Sequence, residues 1–411
     1  MKGDILMASI TRRGNSYRIR VSNGYDSNGR QKIESVTWTP DPLKTAQQNQ
    51  KALDIFAFEF EHKVKNGLFF KENHMTYQTY IEQWLMDYAS QQMERTSYEC
   101  TENLMRLHIL PVLGQLRLSE ITPMHLNKLY SNMLQQGYIR NGKKHPYKPS
   151  TIRRIHHAIS ISLSTAVTWQ LIEYNPCDRV KPPKMTKSIE PKHFTPEEAQ
   201  LFLEFLNEPD PATGHDIPEQ FRVFFYMALY GGFRRGELIA LKWNDIDFSN
   251  NTVSITKSTA KVRASQMEKA PKNFSSVRIV VLSDSVMQML QDYKHNQAVY
   301  RLAQGDDWQG DNFVFIQSDG KQMHIDTPTK VFKRLLRSFN KSHLEQLPDI
   351  SLHGLRHTSA TLLIAQHVDI KTVSSRLGHS NTSTTLNIYT HSLKQLDTTA
   401  AIAIADILEK K

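Results

Sequence analysis

Hydrophobic positions along this chain change their spacing from one region to the next. Residues 8–40 alternate. After a Gly14–Asn15 turn, Tyr17, Ile19 and Val21 fall on one side of a strand and Arg18 and Arg20 on the other. Asn23–Gly24 and Asn28–Gly29 predict two further turns. A third strand covers 31–38 and ends before Pro40 and Pro42. The period then lengthens: Leu53, Phe56, Phe60 and Val64 are spaced for a helix that Gly67 stops. From 73 to 180 the pattern is helical throughout. Tyr77, Tyr80, Ile81, Trp84, Leu85 and Tyr88 form one face of a first helix. Leu104, Leu107 and Leu110 lead into Pro111 and Gly114, which end a second. Thr122 caps a third with Pro123 at its first position, lined by Leu126, Leu129 and Met133. A loop rich in Gly, Pro and Lys covers 141–149. The fourth helix, from Ser150, buries Ile152, Ile155, Ile159, Leu163 and Ala166 and leaves Arg153, Arg154, His156 and His157 on its other side.

Periodicity disappears over 180–192, VKPPKMTKSIEPK, where three prolines and four lysines predict a linker. Thr195–Glu198 is a capping box that opens the last region. Helices there carry Leu201, Phe202, Phe205 and Leu206, then residues 221–229. Strands cover 252–256 and 277–282, with the polar span between them an extended hairpin loop. Asp369 caps a short helix through Val373 and Leu377 that Gly378 ends. Another helix starts over 384–389, and 393–411 is a small-residue apolar tail helix with Leu393, Leu396, Ala400, Ile404 and Leu408. The predicted fold is α+β and multidomain, within the two to four domains that 411 residues allow. Residues 8–70 form a small three-stranded sheet plus helix, and 73–180 an all-helical domain. After the basic linker 181–192, residues 193–392 form a mainly helical domain with a small antiparallel sheet, followed by the tail helix 393–411.

Charge adds a partner. With 51 Lys and Arg against 41 Asp and Glu, the net charge of +10 asks for an acidic ligand, and nucleic acid is the usual one. Arg12, Arg13, Arg18, Arg20, Arg30 and Lys32 crowd the N-terminal strands, and a small sheet can enter a major groove. Lys143, Lys144, Lys148, Arg153 and Arg154, with Lys181 and Lys184 of the linker, are candidate phosphate contacts. For each group the plainer alternative is a solvated basic face. Cys100 and Cys177 cannot build a disulfide framework or a Cys-rich zinc site, and they fit a reducing cytoplasm. No apolar run approaches the ~18 residues of a spanning helix. MKGDILM is too short and polar for a secretory signal, and Met7 is an alternative start.

Candidate chemistry concentrates in 351–391, which holds His353, Arg356, His357, His379, Tyr389 and His391 but one carboxylate, Asp369. Fixed cations, imidazoles and a hydroxyl suit a phosphate. Paired carboxylates for magnesium are missing, so the segment predicts metal-free phosphoryl transfer with Tyr389 as a covalent nucleophile. His353, Arg356 and His357 lie at i, i+3 and i+4 of a helix start and share a face. The two histidines also invite a zinc reading, but the Glu of HExxH is absent and a cation lies between them. Upstream, Gly231 and Gly232 allow a tight turn that points Arg234 into a cleft. Glu237 is placed to orient an arginine or to support its own helix. Composition gives Lys272 no special weight.

Four pieces in order and spacing carry a family likeness: GGFRRGELIALKWNDID, PKNFSSVRIVVL, SLHGLRHTSAT and LGHSNTSTTLNIYTH. Over nearly all its residues the chain resembles the tyrosine recombinases, and within them the phage and conjugative-transposon integrases. It departs from their pattern at Gly231, where the family keeps a threonine. The resemblance implies an arm-type DNA-binding domain (8–70), a core-type DNA-binding domain (73–180) and a catalytic domain (193–392). It implies Arg234, His353, Arg356 and His379 around the phosphate, Tyr389 as nucleophile, and Lys272, with Lys269 nearby, as the acid for the leaving 5′ oxygen. Glu237, Arg235, His357 and His391 are supporting residues. It implies a site-specific recombinase that needs neither metal nor ATP nor another cofactor. Its partners would be double-stranded DNA with core-type and arm-type sites, a tetramer of its own kind held through the tail, an excisionase and host DNA-bending proteins. The place would be the bacterial cytoplasm, at the nucleoid, with no membrane. A chromosome-dimer-resolving recombinase would not need residues 8–67. A non-catalytic architectural DNA-binding protein on the same fold would not need every cation and nucleophile position filled.

Overall fold

The structure, a computed structural model, describes residues 8–25, 29–65, 75–140, 143–185, 192–263, 265–269, 277–379 and 408. The chain divides into two compact units, one up to Lys187 and one from Ser188.

The first unit begins with β1 (Ser9–Arg13), β2 (Ser16–Tyr25) and β3 (Gln31–Trp38), an antiparallel sheet in that order. Helix α1 (Ala46–Lys65) covers one face. Ile19 and Val21 meet Leu53, Ala57, Phe60 and Val64 there, as the alternation on β2 and the helical spacing on α1 require. Asn23–Gly24 is not a turn. It stays within β2, where the pairing with β3 shifts between Ser22 and Tyr25, and this bulge accommodates Gly24 at φ +76°. Asn28 and the expected stop at Gly67 lie outside the described residues.

Helical elements follow: α2 (Tyr77–Trp84), α3 (Ser90–Gln92), α4 (Arg95–Leu104), α5 (Leu110–Leu113) and α6 (Pro123–Gln135). Strands β4 (Tyr138–Arg140) and β5 (Lys143–His145) lead to α7 (Pro149–Thr168). One expectation needs correction: the region is not helical throughout, because Tyr138–Arg140 and Lys143–His145 pair as antiparallel strands, with Tyr138 opposite His145 and stacked on it, centroids 5.7 Å apart. Of the leucines before Pro111, Leu107 is 58% exposed. A π-helical turn over Met105–Ile109 inserts an extra residue into the helical repeat, so Met105, Ile109 and Leu113 take the buried positions. On α7 the predicted apolar face is buried. His156 is half-buried with it, its Nδ1 2.9 Å from the Tyr130 hydroxyl, instead of lying on the solvated side.

In the second unit, α8 (Pro196–Phe205) starts on the expected Thr195–Glu198 capping box. The short strands β6 (Pro209–Asp210) and β7 (His215–Asp216) precede α9 (Glu219–Tyr230) and α10 (Arg235–Ala240). Strands β8 (Ile246–Asp247), β9 (Thr252–Ile255), β10 (Ser258–Val262), β11 (Ser265–Lys269) and β12 (Arg278–Val281) follow. The chain continues through α11 (Asp284–Gln304), α12 (Thr327–Ser342), α13 (Leu352–Ala365) and α14 (Ile370–Leu377). Strands β12, β9 and β8 form one sheet in that order, and β10 pairs with β11 as a separate ribbon. The span between the two predicted strands is therefore not all loop, since Ser258–Val262 pairs with Ser265–Lys269. Buried Thr259 and Val262 anchor the ribbon, and the Gln322 side chain donates to Thr259 Oγ1 (2.9 Å) and to the Ile239 carbonyl (3.1 Å). The core is rich in phenylalanine, with Phe202, Phe225 and Phe332 in mutual ring contact. The helix expected from 384 and the tail helix lie outside the described residues, apart from Leu408. No described helix is long and apolar enough to cross a membrane.

Candidate active site

Helix α9 ends at Tyr230 and the chain turns through Gly231 and Gly232. Gly232 has φ +62°, and a Cβ there would lie 2.6 Å from a Leu377 methyl, so both conformation and packing demand glycine. Buried Phe233 then pins the turn, and Arg234 follows with extended backbone at the cap of α10. An arginine in a cap position leaves the helix surface, as the double glycine predicts. Glu237, one turn on, accepts from the Arg234 backbone N–H (2.8 Å) and from its Nη1 (2.7 Å). Arg234 Nη2 donates to the Gly378 carbonyl at 2.8 Å.

Arg356 reaches the same place from α13. It is 2% exposed, donating from Nη1 to the Gly232 carbonyl (2.6 Å) and from Nη2 to the Leu377 carbonyl (2.5 Å). The two guanidinium groups thus hold consecutive carbonyls at the end of α14. Gly378 is there the left-handed C-cap (φ +66°), and His379 is half-buried beside it. His353 and His357 stack edge to face on α13, centroids 4.8 Å apart. A cavity of about 550 Å³ opens at this point, lined among others by Arg234, Arg235, Lys261, Lys269, Ser351 and His353.

Arg278, on β12, was not singled out by the sequence. It is 9% exposed and donates from Nη1 and Nη2 to the two oxygens of Glu237 (3.1 and 2.8 Å), and from Nε to the Arg376 carbonyl (2.7 Å). The available signal was its place in the strand: Arg278 shares the inward face with Val280, while Ile279 and Val281 face out.

The electrostatics follow from burial and from these cations. Burial pushes the imidazoles of His357 and His379 down to about 4, helped by Arg356 and, at His379, by Arg234. His353, though exposed, is lowered by the packing around its ring and by the charges of Arg356 and Arg234. All three shifts favour the uncharged imidazole near neutral pH. Burial tends to raise Glu237, but hydrogen bonds and charge from Arg278, then Arg234, outweigh it and hold the carboxyl below the usual range. Glu237 is therefore a carboxylate that binds arginine and, through the Arg234 backbone N–H, also caps its own helix, so both predicted roles have their contacts.

The other expected residues fall apart into groups. Arg235 donates to Thr329 Oγ1 (2.9 Å) and pairs with Asp326 (3.5 Å) instead of joining Arg234 and Arg356. Tyr389, His391 and Lys272 lie outside the described residues. Among the described residues no three His, Cys, Asp or Glu gather as metal ligands. The six cations of the N-terminal sheet do not share a face. By register Arg13, Arg18 and Arg20 stand on the face away from α1, with Ser9, Thr11, Ser35 and Thr37, while Arg12 and Lys32 take the opposite register and Arg30 precedes β3. Lys144, Lys148, Arg153, Arg154, Lys181 and Lys184 are exposed, and Arg154 Nη2 lies 2.7 Å from Cys100 Sγ. Lys143 belongs to β5.

Comparison with known proteins is consistent with this arrangement. Residues 192–395 match the phage integrase family and 76–134 the phage integrase N-terminal SAM-like domain. A tyrosine recombinase XerC-like protein of Caldanaerobacter subterraneus subsp. tengcongensis is 26% identical over 409 residues, 95% of this chain and 96% of its own. The ICEBs1 integrase of Bacillus subtilis is 29% identical over 243 residues, 59% of this chain and 61% of its own. The solved Tn1549 transposon integrase, in complex with a circular intermediate DNA, shares the fold with a TM-score of 0.63 at 22% identity, covering 77% of this chain and 95% of that one. The chain belongs to the phage integrase family: it is a tyrosine recombinase, an enzyme of site-specific recombination.

Proposed function

We propose that this recombinase is the integrase of a mobile element, cutting and rejoining duplex DNA through a 3′-phosphotyrosyl link formed by Tyr389. The observation that carries the reading is the convergence of Arg234 and Arg356, from separate segments, on the carbonyls of Leu377 and Gly378 beside His353 and His379. A guanidinium has five N–H donors in a fork, so an arginine that holds a carbonyl can still present donors to a phosphate. Two such groups stabilise the charge of a pentacoordinate phosphorus as it forms. A phenol with a pKa of about 10 is roughly one part in a thousand ionised at neutral pH. Neutral His353 takes its proton as the Tyr389 oxygen bonds to phosphorus. The phosphorus–O5′ bond breaks, and Lys272 gives O5′ its proton. The new ester retains the bond energy, so a second 5′ hydroxyl reverses the step on another strand and displaces Tyr389 without ATP. His379 hydrogen-bonds the phosphate.

The open face of β1–β3, with Arg13, Arg18 and Arg20, suits an arm-type site, and the exposed cations of α7 and β5 suit the flanks of a core-type site. The basic stretch 181–192 would track the backbone between them. In the same reading four copies assemble on paired sites through the tail 393–411, with an excisionase and host DNA-bending proteins setting direction, at the nucleoid. A nicked suicide duplex tests the chemistry. Tyr389→Phe is expected to form no covalent protein–DNA complex on a denaturing gel, and a persisting complex would put the nucleophile elsewhere.

A further inference from the structure

Strand β12 inverts the usual preference. It turns Arg278 inward and leaves Ile279 and Val281 68% and 57% exposed. A buried charge is costly unless its partners are in place, so its contacts identify what it serves. Three of the hydrogen-bond acceptors that Arg278 meets lead to the active site. Two are the oxygens of Glu237, the carboxylate that also holds Arg234. The third is the carbonyl of Arg376, within the α14 end that carries Leu377, Gly378 and His379. Its guanidinium is also packed against Gly378, whose added Cβ would lie 3.0 Å from Nη1.

We propose that Arg278 is a positioning residue of the recombinase, which by sharing the Glu237 carboxylate keeps Arg234 available to the scissile phosphate. The inference rests on the phosphate-holding role of Arg234 proposed above. Glu237 Oε1 accepts from Arg234 Nη1 and Arg278 Nη1, and Oε2 from the Arg234 backbone and Arg278 Nη2. A carboxylate has about four acceptor positions, and here each is taken. Glu237 therefore meets the Arg234 fork at one nitrogen. Charge acts in the same direction. One carboxylate between two guanidinium groups leaves the trio at a net +1, whereas Arg234 and Glu237 alone would be a neutral, bidentate pair turned away from the DNA. Arg278 never needs to touch the substrate for this.

The test compares two versions of the nicked suicide duplex under single-turnover conditions. One has the ordinary scissile phosphate; the other has a methylphosphonate, in which a methyl group replaces one non-bridging oxygen and removes the charge. A residue acting through Arg234 matters for the charged group and much less for the neutral one. Arg278→Met is expected to slow phosphate cleavage by about 10²-fold and methylphosphonate cleavage by less than about threefold, on the scale of losing one oxyanion donor. Arg278→Lys, which keeps the buried charge but not the fork, should show the same selectivity with a smaller loss, and it carries the test if the methionine variant does not fold. Equal losses on the two substrates, or no loss on phosphate, would overturn the assignment. Arg234→Ala run alongside separates the layers. If it is selective and the Arg278 variants are not, only the role of Arg278 falls. If Arg234→Ala itself loses both substrates equally, the phosphate-holding role of Arg234 falls, and that of Arg278 with it.

Discussion

Arg356 and Arg20 carry the same guanidinium into opposite surroundings. Arg356 is 2% exposed, with carbonyls at 2.5 and 2.6 Å from its terminal nitrogens. Arg20 stands exposed on the open face of β2, opposite Ser9 on one neighbouring strand and Ser35 on the other. The first is held in one geometry before any ligand arrives, so its reorganisation cost is already met by folding. The second keeps its freedom and acts mainly through charge, which water and salt screen. On the proposed reading, burial thus separates arginines that would do chemistry from arginines that would provide adhesion, although composition counts them alike.

Removing Arg356 should give the largest effect and is the most direct way to break this contrast. Arg356→Ala leaves the carbonyls of Gly232 and Leu377 without a donor that they now have and withdraws one cation from the phosphate. Cleavage of a core-type suicide duplex should fall by about 10²–10³-fold. Breaking a buried charged network should also cost about 3–5 kcal/mol, read as a lower melting temperature of the full chain. A variant that melts like the parent would show that Arg356 is not part of the scaffold.

Acid should unmake the catalytic cluster next, and more gently. Burial holds His357 and His379 at about 4 in the folded chain, against about 6.5 when unfolded. The unfolded state therefore binds protons first as pH falls. Stability from these neutral imidazoles is fully present above about 6.5 and is lost progressively between 6.5 and 4. Melting temperature followed from pH 7.5 to 4.5 should decline over that window, with a shallower slope in His357→Gln. An identical slope in the variant would remove His357 from the account. Arginine does not titrate in this range, so the charge of the N-terminal sheet stays as it is.

Much of the candidate site was legible because its signals are local. A glycine pair before Arg234, an i, i+3, i+4 face on α13 and a glycine after Leu377 each state their geometry within a few residues. Arg278 was not legible in that way. Its hydrogen-bond partners include Glu237 and the Arg376 carbonyl, from other elements, and nothing in VRIVVL says which face is inward until β12 pairs with β9. The same holds for the fold. The alternation of β2 and the spacing on α1 placed the small N-terminal core. The pairings of β10 with β11 and of β4 with β5 are cross-strand contacts that composition does not signal, and a π turn over Met105–Ile109 sets which residues of that helix face the core. Among the sheet cations, period two on β2 places Arg18 and Arg20 on one face, while Arg12 and Lys32 lie on β1 and β3, whose faces only the register decides.

That register permits the smallest and most selective prediction. If the open face of β1–β3 adheres to DNA through charge, Arg20→Ala should weaken binding to an arm-type duplex about three- to tenfold near physiological salt, and should lower the slope of log affinity against log salt by about one. The weakening should be similar for unrelated sequences of equal length, since a phosphate contact carries no base information. Cleavage of a short core-type duplex and the melting temperature should not change, because Arg20 supports no buried group. Titrations at two salt concentrations, with core cleavage measured on the same preparation, check all of this. An unchanged salt slope would place Arg20 away from the DNA. A sequence-dependent loss would make it a reader of bases, and a loss of core cleavage would tie the sheet to the chemistry, either of which ends the division between holding and adhering arginines.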